Sequence, residues 1–205
     1  MNGLNGATDR TFQRRNATRQ GKGATSRAPG MQQKVTIAMG GEMGNATGID
    51  AEHFRRPFLV LLREIFVGGT ERDFVLDGGT SLAETLSDIS AEEASQRVST
   101  QTASVAAQVN HLCVYVEAII SGDPGRRVDW DATWNDAATV NDAEWTALVA
   151  RASENFEKMD TFCATFEGWD EPFVGGAMAI LAHTMYHLGE IRTGIGVVRE
   201  RRTAD

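Results

Sequence analysis

The chain has 205 residues, a formal net charge of −8 and 41% hydrophobic residues, enough for one domain with a sizeable core and short for two. Charge is uneven: residues 1–50 carry seven Lys/Arg against three Asp/Glu, and the remainder carries 13 against 25. Phosphate binding needs clustered positive charge, so the acidic part argues against a nucleic-acid partner. No apolar run approaches the roughly 20 residues that span a bilayer, and the first residues lack the apolar core of a secretory signal. The expectation is a cytoplasmic chain with no membrane partner. Its two cysteines, Cys113 and Cys163, each lie in an apolar-periodic stretch and predict buried thiols, not a disulfide.

In chain order, residues 1–48 predict a disordered extension, because Gly, Asn, Thr, Arg and Gln dominate and too little apolar surface exists to offset ordering entropy. A helical domain over 49–205 follows. Asp50 is placed to N-cap a helix through Phe54, Phe58, Leu61, Leu62 and Ile65, which Gly68-Gly69 stops. Thr80 or Ser81 predicts the cap of a short helix through Leu82, Leu86 and Ile89, and Ser90-Ala-Glu-Glu93 has the pattern of a capping box. A second long helix fits residues 102–120, with Val105, Val109, Leu112, Val116 and Ile119 on one face, ended by the Gly-Asp-Pro-Gly run at 122–125. Residues 123–140 read as a loop whose Trp130 and Trp134, with Trp145, cap one end of the core.

Asn141-x-x-Glu144 is another capping signal, and Trp145, Leu148, Ala152, Phe156, Met159, Cys163 and Phe166 form the stripe of a third long helix, closed by Gly168 and Pro172. A fourth fits residues 174–199, with Met178, Leu181, Met185, Leu188, Ile191, Ile195 and Val198 as its apolar positions. Four long amphipathic helices and no strand pattern predict an all-α bundle.

Two of the four histidines, His183 and His187, are four apart on the last helix, so both imidazoles leave one face about a turn apart and can share an ion. His111 sits mid-way along the second long helix among Val109, Leu112 and Val116, where a solvated residue is out of place. An inward His111 completes a three-nitrogen face suited to Zn, Ni, Fe, Cu or Co, with positions open for water or substrate. The alternative is three buried histidines, each with its own hydrogen-bond partner. His53, beside Arg55 and Arg56, reads as a surface residue. Glu190, three past His187, is a candidate general base, fourth ligand or acceptor that orients an imidazole; pairing with Arg192 is the plainer reading. Tyr115 and Tyr186 are assigned to core packing, and Gly189, Gly194 and Gly196 to close helix contact. No His-Glu-x-x-His, Glu-x-x-His, phosphate loop, Gly-x-Ser-x-Gly elbow or dinucleotide fingerprint occurs.

The segments Ser104-Val-Ala-Ala-Gln-Val-Asn-His111-Leu and His183-Thr-Met-Tyr-His187-Leu-Gly-Glu190-Ile, with Asp129-Trp-Asp-Ala-Thr-Trp134 between them, resemble the DinB-like (DinB/YfiT) superfamily of four-helix metal-binding bundles over residues 50–200. The resemblance implies an up-down-down-up bundle that often dimerises, with His111, His183 and His187 as ligands of zinc or nickel. It also implies a metal-dependent thiol S-transferase acting on a small-molecule substrate with a low-molecular-weight thiol cosubstrate such as bacillithiol, mycothiol or glutathione. Many relatives carry Gln where this chain has Glu190, so no role is carried over to that residue. The rival readings are a metal-dependent hydrolase with Glu190 as base and a non-catalytic, homodimeric metal-binding stress protein.

Overall fold

Asp50 opens the first helix by accepting a hydrogen bond from the Glu52 amide, which satisfies one of the four amides that a helix start leaves unpaired. The computed structural model describes residues 50–69, 74–123 and 125–204, and all seven elements among these residues are helices. The expected disordered extension over 1–48 lies outside the described residues. α1 spans Ala51–Phe66 and ends where Gly68 and Gly69 take positive φ, as the Gly-Gly pair predicts. α2 (Leu82–Ser87) and α3 (Ala91–Ser95) are short and each starts with a complete capping box, Ser81 with Glu84 and Ser90 with Glu93.

α4 spans Val105–Ile120 and begins three residues later than the periodicity predicts. Ser104 is the cap: its hydroxyl accepts from the Ala107 amide and donates to the Ala138 carbonyl, so Thr102 and Ala103 stay outside. Residues 130–133, expected as loop, form the single turn α5 (Trp130–Thr133), capped by Asp129 through the Ala132 amide. α6 (Asp142–Thr165) starts with the Asn141–Glu144 box. Its stripe holds from Trp145 to Cys163, but Phe166 lies past the helix end in extended backbone.

α7 (Glu171–Ala204) is longer than predicted at both ends. Pro172 does not close the preceding segment; it sits in the first turn, where its missing N–H costs nothing, and the Asp170 carboxylate accepts from the Phe173 amide. At the far end Arg199 pairs with Asp88 and Glu93, and Arg202 with Glu92, so contacts to α3 and to the C-cap of α2 carry the helix past Arg199.

α1 and α4 each pack against both α6 and α7, and α3 fills in beside α4, α6 and α7. Leu62, Ile65, Met159, Leu188 and Ile191 are fully buried where these helices meet, each worth about 1.5–3 kcal/mol of burial. Met178, expected in this core, is 60% exposed: the buried stripe of α7 runs through Ala177, Ile180, Thr184, His187, Leu188 and Ile191, and Met178 lies on another face. No described helix is long and apolar enough to cross a membrane.

Candidate metal centre

α4 and α7 lie side by side and bring His111 and His183 together, Nε2 to Nε2, at 3.2 Å. One nitrogen from each of His111, His183 and His187 falls within 4.8 Å of the others. His111 and His187 are buried and His183 is half-buried. Two nitrogens each about 2.05 Å from a tetrahedral ion lie about 3.3 Å apart, close to the His111–His183 separation.

The rings are held from behind. His187 Nδ1 lies 3.1 Å from Gln108 Oε1 and 3.4 Å from Glu190 Oε2. Both neighbours accept, so Nδ1 carries the proton and the Nε2 lone pair is left free. His111 Nδ1 lies 2.9 Å from Thr133 Oγ1. Trp134 stacks on His111 with ring centroids 4.0 Å apart, and Tyr115 covers His183 at 4.1 Å. Burial, with a smaller push from His183, lowers His111 to about 4; burial, then His183 and His111, lowers His187 to about 3. Burial alone lowers His183. All three are therefore neutral near pH 7, the state in which imidazole donates to a metal.

The donor set, its spacing and its protonation fit a metal ion.

His53 is exposed, as expected. Glu190 is half-exposed and accepts from the Tyr186 hydroxyl at 2.8 Å as well as facing His187. Tyr186 is not core: it is 61% exposed, because its position falls on the outer face of α7. Gly189, Gly194 and Gly196 do not mediate close packing among the described residues, since an added Cβ at any of them meets none of these within 4 Å. Trp130 and Trp134 do not cap a core end; they wall the histidines, while Trp145 enters the core and donates its indole N–H to the Ile89 carbonyl at 2.7 Å. Burial pushes the Cys113 and Cys163 thiols up to about 12, so neither is a nucleophile.

Gln108, Asn110 and Thr133 escape sequence reasoning. Their signal was available in part: Gln108 and Asn110 are amides inside an otherwise apolar run, and Gln108 shares a helix face with His111 at i, i+3. Thr133 stood inside the Asp129–Trp134 segment with nothing to single it out. In comparisons with known proteins, no family model, no curated protein and no solved structure matches the chain.

Proposed function

We propose that His111, His183 and His187 hold one divalent metal ion, zinc or nickel, and that the chain is a metal-dependent thiol S-transferase of the DinB-like kind. The observation that carries the metal reading is the convergence of three neutral imidazoles within 4.8 Å. The three neutral imidazoles would leave a bound divalent ion its full charge, and the ion would supply Lewis acidity there. The aromatic rings of Trp130, Trp134 and Tyr115 line the histidines without adding a competing charge.

In this reading Glu190 is a positioning residue. Its carboxylate meets Nδ1 of His187, on the far side of the ring from the donor nitrogen, which disfavours the hydrolase in which it serves as base. Glu190→Gln, which keeps an acceptor, is expected to leave metal content unchanged. The short connection from α6 to α7 supports opposed directions for that pair, and the long connection from α4 to α6 has room for the crossover of an up-down-down-up bundle. The exposed stripe of Gly175, Met178, Ala179, Ala182, Tyr186 and Gly189 on α7 is uncharged in an acidic chain and supports a homodimer, to be read as solution mass by light scattering.

The test is elemental analysis of protein purified without chelator, beside His183→Ala. About one metal per chain, lost in the variant, is expected. A folded wild type that takes up neither zinc nor nickel overturns the metal reading. A loaded protein with no turnover under bacillithiol, mycothiol or glutathione overturns the transferase.

A further inference from the structure

A chain of directional hydrogen bonds crosses three helices and ends on His111. On α6, Arg151 grips Glu117 of α4 with two nitrogens, Nε to Oε1 at 2.7 Å and Nη2 to Oε2 at 2.8 Å. Its Nη1 donates to Asn110 Oδ1 at 2.9 Å. Asn155 steadies the same carboxylate, donating to Oε1 at 3.0 Å. Asn110 Nδ2 then donates to the Thr133 carbonyl on α5 at 2.8 Å. Each link has one allowed direction: a guanidinium only donates, so the Asn110 oxygen faces Arg151 and its NH2 faces α5. An isolated single turn has no stability of its own, so α5 depends on this attachment.

Thr133 converts that attachment into a choice of proton. It is 3% exposed, and its hydroxyl donates to the Trp130 carbonyl at 2.7 Å. The only hydrogen being committed there, the oxygen accepts from His111 Nδ1 at 2.9 Å. Neutral His111 thus carries its proton on Nδ1 and turns the Nε2 lone pair toward His183.

We propose that Thr133, held by the Arg151–Asn110 chain, is a positioning residue that fixes His111 as an Nε2 metal donor. The inference rests on the metal reading above and extends the site to a residue of the neighbouring helix α6. In the metal-free protein, ¹⁵N shifts of the His111 ring report the tautomer, and zinc competition titrations report affinity. Wild type is expected to show Nδ1–H. Thr133→Val, matched in shape but unable to accept, is expected to shift His111 toward Nε2–H and to weaken zinc binding roughly 10- to 100-fold. Thr133→Ser restores the hydroxyl and is expected to bind within roughly threefold of wild type. Arg151→Gln changes no residue that touches the histidines and is expected to cost roughly threefold to tenfold. Circular dichroism confines the comparison to folded samples. Wild-type affinity and wild-type tautomer in folded Thr133→Val overturn the proposal, as does unchanged affinity in Arg151→Gln should Thr133→Val not fold. A wild type that binds no zinc overturns the metal reading itself and the inference with it.

Discussion

On one side α4 presents Val109, Leu112, Cys113 and Val116, which meet Phe66 and Leu82 on one flank and Ala152 on the other around a small apolar space. On the other side the same helix presents Gln108 to His187, Asn110 to Thr133 and His111 to His183. Both sides are buried, but they use burial differently. The apolar side gains from area alone, and any side chain of similar volume and shape keeps most of the gain. The polar side gains only when every donor has its acceptor, and desolvating three imidazoles costs stability that an ion bound as proposed would return. The first side holds the fold; the second fixes how the imidazoles are oriented.

The comparison breaks most visibly under metal. Zinc at about a thousandfold above its dissociation constant is expected to stabilise the chain by about 4 kcal/mol, read as a rise in the urea midpoint. His183→Ala should abolish that rise, and if the rise persisted the two sides of α4 would not differ in kind. Leu62→Ala, on the apolar side, is expected to cost roughly 3 kcal/mol by the same assay while leaving metal stoichiometry intact. Loss of metal in that variant would show that the site depends on the core more than its hydrogen bonds imply.

A smaller effect comes from the far end of α7. The hydrogen bond from Arg199, supported by Ser90, holds the Glu93 carboxyl at about 2 against an ordinary 4.5. A carboxyl lowered in the folded state stabilises above its ordinary value, and the contribution is lost as pH falls from about 4.5 through about 2. Arg199 is 41% exposed, so solvent screening leaves on the order of 1–2 kcal/mol. Glu93→Gln is expected to flatten that arm of the stability–pH curve and leave zinc binding near pH 7 unchanged. The smallest effect is at a cap remote from both sides: Asn141→Ala should cost about 1 kcal/mol by thermal melting, with no change in metal content.

Local chemistry explains which of these features the sequence revealed. The caps at Asp50, Ser81, Ser90 and Asn141 are legible because a side-chain acceptor three residues from a Glu, or just before an apolar period, acts within one turn of backbone. The pairing of His183 with His187 is legible because helical spacing alone puts them on one face. Features that depend on a distant partner were not. α7 outruns its apolar pattern because Arg199 and Arg202 find acidic partners on and beside α3. Met178 and Tyr186 look apolar enough for the core, yet the buried face of α7 is set by where α1 and α4 pack. Thr133 matters only because Asn110 and Arg151 bring a loop turn to His111.

One uninterrupted helix carries His183 and His187 at its middle and Arg199 near its end. That makes chain length between the two points a fixed quantity. A single residue inserted between Leu188 and Val198 would turn the end of α7 by about 100° and move it about 1.5 Å, so either the imidazoles or the Arg199 clamp on Glu93 must let go. An insertion of seven would restore the face but displace Arg199 by about 10 Å, beyond the reach of its side chain. Residues 74–80, by contrast, lie in a surface connection with no helix to keep in phase and can change length without turning any histidine. Variation in length among proteins built this way is therefore expected in the connections, with the stretch from His187 to Arg199 held at constant count.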